Sequence, residues 1–307
     1  PLYRSSVFYR MERGLIKTRL EFIGKLKGDA LKWFGGFEYM NNKLDTVDIN
    51  KINEGRDPAD FLPYAGGGLY GDFIRWGLIP EDQADGGQTG IFKIGVKYDT
   101  RDNEPNPMSG LWTELQLLMA PGFLSDGYNY ARAAFTHRHY FTLLPERVNL
   151  ALRVSYQAKL WGEMPFYMLP LVFNSSPQLT LSGLGGGKTM RGILRNRVVG
   201  EDFFYGNAEL RWKVFRAVIL NQNFYFALAG FLDAGMITGK YRLPETTNPE
   251  AAVWLARGDR EKMHLSYGGG AHFAEFLKPV VGHPEFHGTH AEEWAVMGLS
   301  TLLAFTG

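Results

Sequence analysis

The feature that most constrains this chain is a period of two, repeated along most of its length. From Phe204 to Val214 the even positions read Phe204, Gly206, Ala208, Leu210, Trp212 and Val214, and the odd ones Tyr205, Asn207, Glu209, Arg211 and Lys213. Side chains of a β-strand point alternately to two faces, so this segment has an apolar and a charged face. Val148, Leu150, Leu152, Val154 and Tyr156 oppose Asn149, Arg153, Ser155, Gln157 and Lys159 in the same way. Ile16, Leu20, Phe22 and Leu26 oppose Lys17, Arg19, Glu21, Lys25 and Lys27. Residues 31–42, 91–99 and 224–235 follow with small defects. Such runs exceed the roughly 5–6 residues usual for soluble strands and match the roughly 9–11 that a tilted strand needs to cross a bilayer. A soluble β-sandwich also alternates, but in shorter pieces.

The pattern predicts an all-β, transmembrane antiparallel β-barrel, one domain over residues 1–307, with twelve strands: 5–12, 15–27, 31–43, 91–100, 111–120, 128–141, 147–160, 204–214, 223–236, 263–274, 276–282 and 294–305. The eleventh is the weakest, because Pro279 cannot donate to a ladder. The connections then sort into two sets. One end has short links at 28–30, 101–110, 142–146 and 215–222 and a tight reversal near 274–275. The other has long external loops at 44–90, 161–203 and 237–262, with 121–127, 283–293 and a tight turn at Arg13–Gly14. Short turns at one end and long loops at the other are what outer-membrane barrels show.

Composition narrows the function. The 37 glycines and 14% aromatic residues suit closely packed strands that end in aromatic belts. A net charge of +1 gives no field for nucleic acid, and a chain without cysteine has no disulfide scaffold, thiolate metal site or cysteine nucleophile. Met164–Gly187 is uncharged, but Pro165, Pro170, Pro177 and its glycines bar a spanning helix. The chain opens without a signal peptide, as a mature product or fragment would.

Four motifs carry a resemblance. Tyr98-Asp99-Thr100-Arg101-Asp102-Asn103, followed by Pro107 and Gly110, is a strand-turn-strand signature. Thr189-Met190-Arg191-Gly192-Ile193 lies in the longest late loop. Asn207-Ala208-Glu209-Leu210-Arg211 and Phe231-Leu232-Asp233-Ala234-Gly235 follow. In this order and spacing, from about residue 90 to the end, they resemble the bacterial surface antigen family, the superfamily of BamA-type outer-membrane assembly factors. The resemblance implies that Arg191 and Gly192 fold back into the lumen, that Arg191 pairs with Glu209 and Asp233, and that the loop occludes the pore. Alternation places both carboxylates on inward faces, and a planar guanidinium suits two of them. Ile193 stands where the family usually has an aromatic residue.

The same resemblance implies a bacterial outer-membrane protein, not an enzyme, that acts in assembly, insertion or translocation of other proteins. Its partners would be membrane lipid and outer-membrane or periplasmic proteins. It further implies a weakly paired lateral seam between strands 5–12 and 294–305, with Phe8, Gly298 and Phe305 along it. The family barrel usually has sixteen strands and follows POTRA domains. Residue 1 already adjoins the first strand, so no POTRA domain is expected in this chain. The alternatives are a secretion pore and a structural anchor or accessory subunit.

No cofactor or metal is expected. Gly183–Thr189 lacks the first glycine of a phosphate loop, since residue 182 is Ser182. His283, Glu285, His287 and His290 have spacing that suits zinc or copper, but read as a polar loop before the last strand. His137 and His139 share one strand face, either in an aromatic girdle or in the lumen.

Overall fold

The computed structural model describes residues 6–63, 66–104, 106–173, 180–219, 222–256, 261–276 and 296–306. Its frame is one antiparallel sheet of ten strands. They are β1 (Met11–Lys27), β2 (Leu31–Thr46), β3 (Gly86–Asp99), β4 (Gly110–Ala120), β5 (Tyr130–Leu144), β6 (Val148–Gly162), β9 (Asp202–Ile219), β10 (Gln222–Gly239), β11 (His264–Phe276) and β12 (Val296–Thr306). A two-stranded pair, β7 (Leu171–Val172) and β8 (Thr180–Leu181), lies within the connection from β6 to β9. Strands adjacent in the main sheet follow chain order, so every step is an up-and-down neighbour.

The period of two becomes two physically different faces. Ile94, Val96, Leu115, Leu117, Val154, Leu210, Trp212 and Leu232 are exposed on the outer face. The inner face holds polar groups that are buried all the same: Glu38, Lys93, Glu114, Gln116, Arg132, Gln157 and Asp233. In water this inversion would be unstable, since each large apolar side chain left exposed forgoes about 1.5–3 kcal/mol of burial. Against hydrocarbon it is the stable arrangement, provided that ladder bonding satisfies the backbone. His137 and His139 lie on the outer face, where His139 stacks on Phe141 at 4.0 Å and His137 Nδ1 is 2.8 Å from the Thr113 hydroxyl.

Links at one end of the sheet are short: 28–30, 100–109, 145–147 and 220–221. The first turns at Gly28, whose φ of 61° favours glycine. The other end carries the connections 47–85, with α1 (Ile49–Asn53) and α2 (Gly68–Arg75), 163–201, and 240–263, with α3 (Pro249–Ala256).

Several expectations are corrected. Among the described residues the main sheet has ten strands where twelve were expected. Residues 6–9 form a 3₁₀ turn instead of a first strand: Val7 and Phe8 are consecutive and both buried, which a two-faced ribbon does not allow, and the Phe8 carbonyl packs against Gly68 of α2. Phe8 therefore belongs to no edge strand. Arg13–Gly14 is not a turn, because both pair in register with Leu44 and Lys43 inside β1. Ala274 and Glu275 lie within β11, paired with Gly298 and Met297, so no reversal occurs there. Residues 277–282 of the expected eleventh strand lie outside the described residues, as does the cluster His283, Glu285, His287 and His290. Since β11 and β12 are antiparallel neighbours, the segment between them joins strand ends on the short-turn side, not the long-loop side. Among the described residues β1 and β12 are the two edges and are not paired with each other, so this sheet does not close on itself.

Candidate functional site

The described residues of the connection 163–201, namely 163–173 and 180–201, do not project from the sheet but lie along its inner face. Arg191 anchors it. Its backbone N–H and Nε both donate to Asp233 Oδ2 at 2.9 Å, and Nη2 donates to Oδ1 at 2.7 Å. Nη1 meets the Glu209 carboxylate, whose other oxygen accepts from Arg211 Nε at 2.7 Å. The guanidinium also sits 3.7 Å above the ring of Phe231. Asp233 is wholly buried, whereas the Arg191 side chain retains 14% exposure. Burial alone would lower the arginine pKa; hydrogen bonds and charge from Asp233 and Glu209 outweigh it and raise the pKa above its ordinary value.

The strands dictate this meeting. Asp233 pairs with Asn207 in the β9–β10 register and Glu209 pairs with Phe231, so the two carboxylates occupy adjacent rows of one face. Gly235, two residues along β10 from Asp233, leaves room for the loop: a Cβ there would lie 2.6 Å from Met190 Sδ. Met190, Leu184, Val198, Phe203, Tyr205 and Ile237 form an apolar core beside the ion pairs, and Ile193 packs against it. Ile193 thus fills the apolar core, while Phe231 supplies the ring under the arginine.

Further bonds hold the loop along its length. Asn207 Nδ2 donates to the Thr189 carbonyl at 2.8 Å, and Arg153 Nη2 to the Lys188 carbonyl at 2.8 Å. Arg132 donates to the Glu201 carbonyl at 2.9 Å, and Gln157 makes a reciprocal pair with the Phe173 backbone. The Thr189 hydroxyl donates to the carbonyls of Gly183 and Gly185, both 3.0 Å away, so the glycine run is tied to itself.

The strand-turn motif builds the β3–β4 link. Asp99 receives Arg101 through Nε at 2.9 Å and Nη2 at 2.8 Å, Asp102 accepts the Met108 N–H at 3.0 Å, and the Pro107 carbonyl accepts from Asn149 at 3.0 Å. Gly110 has a φ of 92°, and a Cβ there would meet the Thr100 carbonyl. Tyr98 faces outward. Gly298 and Phe305 lie in edge strand β12, opposite Ala274 and Tyr267 of β11.

With this geometry in view, comparison with known proteins is informative. A family model described as the Omp85 superfamily domain matches residues 4–274. The chain belongs to the Omp85 superfamily. Among solved structures, BamA from Haemophilus ducreyi lacking POTRA domains 1–3 matches with a TM-score of 0.51 at 13% identity, over 98% of this chain and 57% of that one. This Omp85 chain thus shares the fold of a BamA barrel and spans little more than half that protein's length. No curated protein matches it.

The motif residues of this Omp85 chain fall into two groups. Arg191, Gly192, Glu209 and Asp233 come together at the inner face, whereas Tyr98–Gly110 form a turn at the short-link end and Gly298 and Phe305 an edge. Motif reading did not single out Arg153, Asn207, Arg211 and Phe231 as parts of the site. Their odd numbers, which place them on the same strand face as Glu209 and Asp233, were the available signal.

Proposed function

We propose that this Omp85 chain is the barrel of an outer-membrane assembly factor, which inserts or translocates other proteins through a seam between its terminal strands. The observation that carries this reading is the edge pair: among the described residues, a sheet with an apolar outer face leaves β1 and β12 as its two unpaired margins. Each margin offers a row of N–H and C=O groups, which is a template for an incoming strand. In the membrane the two would approach to close the cylinder, because lipid does not satisfy an open edge. The seam then lies between residues 11–27 and 296–306. The 163–201 connection, clamped by Arg191, blocks the lumen, which favours lateral insertion over passage through the pore.

Urea-unfolded outer-membrane barrels added to liposomes that contain the purified chain test this. Folding, followed by heat-modified gel mobility, should be faster than in empty liposomes; equal rates would sink the proposal.

A second reading, an accessory subunit, draws on Phe61, Leu243, Val253 and Leu255, which are exposed on the helix-bearing loops at the long-loop end. Equal folding rates together with a stable outer-membrane partner in a pull-down would favour it.

A further inference from the structure

Beneath the tip of the 163–201 connection, toward the short-turn end, lies a cavity of about 350 Å³ whose lining includes Arg138, Arg153, Lys188, Arg191, Arg211 and Glu209. Two of its strand cations stand apart from its carboxylate. Asp233 and Glu209 neutralise Arg191, and Glu209 also binds Arg211. Arg138 and Arg153 have no carboxylate within ion-pair distance among the described residues. They are direct cross-strand partners in the β5–β6 register and both face inward, an arrangement of like charges that destabilises a sheet. Arg153 is held by Asn207 and the loop carbonyls. Arg138 packs at 4.6 Å over Trp112, and its buried Nε has no hydrogen-bond partner. A buried guanidinium N–H without an acceptor is costly.

We propose that this cavity is a binding site for a soluble oxyanion of the phosphate class, seated between Arg138, Arg153 and Lys188. A phosphate-type ligand offers several oxygens to the planar fork of an arginine and neutralises the facing pair. The cavity is of small-ligand size. It opens on the polar inner face, away from the outward apolar rows, so the ligand comes from solution and not from the lipid. Because Lys188 and Arg191 belong to the connection and Arg138 and Arg153 to the strands, the bound anion also ties one to the other. The proposal is independent of the assembly reading.

Titration calorimetry of the purified chain in detergent, with pyrophosphate as probe, should show saturable binding that weakens as salt rises. Arg138→Gln should weaken it by about tenfold, the worth of one charge-assisted hydrogen bond. Lys43→Gln, outside the cavity, should leave it unchanged. Circular dichroism confirms that each variant is folded; if Arg138→Gln is not, Lys188→Ala takes its place, with a loss of at least about threefold. Absence of saturable binding, or native affinity in the folded cavity variant, would overturn the proposal.

Discussion

Two long connections leave the same end of the sheet and are held in opposite ways. Residues 163–201 are bonded to strand side chains: Arg191 to Asp233 and Glu209, the Thr189 and Lys188 carbonyls to Asn207 and Arg153, and Glu201 to Arg132 and Lys159. The hydrogen bonds of residues 47–85 run mainly within that connection and to neighbouring loops, Gln83 accepting from the Phe166 N–H. Tyr70 and Ile79 join an apolar cluster with Met40, Leu44 and Ile91 of the strands. Asp48 caps α1, Asn53 exchanges two hydrogen bonds with Leu62, and Tyr70 donates to the Ala84 carbonyl. Trp76 then meets Glu250 and Thr246 of the 240–263 connection. Length alone therefore does not make a plug. One connection is fixed by charged partners that the strands place for it, whereas the other packs Tyr70 and Ile79 into the apolar cluster of Met40, Leu44, Ile91 and Leu118 on the strands.

The largest expected effect comes from removing the partner that is wholly buried. Asp233→Ala leaves Arg191 without its main acceptor in a half-buried setting, and breaking a buried pair in this way costs about 3–5 kcal/mol. The urea midpoint of the reconstituted protein should fall, and single-channel conductance should rise as the loop leaves the inner face. Arg191→Ala should raise conductance similarly. A stable protein whose conductance is unchanged in both variants would make the loop's position irrelevant to the pore and erase the contrast with 47–85.

Gly235→Ala probes the same region without touching charge. The added methyl would crowd Met190 Sδ and the Phe204 carbonyl, and overpacking of this kind costs about 1–3 kcal/mol. The protein should unfold at lower urea with its ion pairs intact, and conductance should rise less than in Asp233→Ala. A larger rise than Asp233→Ala would show that apolar packing, not the arginine, sets the loop's position.

How much of this was readable beforehand depends on which physics was local. Alternation is a property of the strand itself, so Glu209, Asp233 and the outward Leu210 and Leu232 fell on the right faces. Strand ends were less legible. Gly14 sits in a ladder opposite Lys43, because glycine is equally at home in a turn and on an uncrowded strand. Val7 and Phe8 have strand-like chemistry, yet bury themselves against α2, a helix some sixty residues on in sequence, and no local pattern announces such a partner. The roles of Arg138, Arg153 and Arg211 were obscure for another reason. A charged row inside a barrel is expected on any reading, and only the cross-strand register shows which cations face each other and which share a carboxylate.

The smallest effect belongs to the outer pair of loops, and it tests whether their contact with each other is separable from the packing of 47–85 on the strands. Thr246 donates to the Trp76 carbonyl at 2.6 Å and accepts from the Asn248 N–H at 3.2 Å, so Thr246→Val removes two hydrogen bonds at nearly constant volume. Each such bond contributes about 0.5–1.5 kcal/mol, and the loss should be confined to the 240–263 connection and its contact with 47–85. Limited proteolysis should cut within 47–85 sooner, whereas the urea midpoint and the conductance should match the parent protein. Strands that are tilted by a loop rearrangement would change both at once. If Thr246→Val opens the pore, the outer loops and the inner one act as a single gate, and the division between a charge-anchored plug and an apolar-packed cap does not hold.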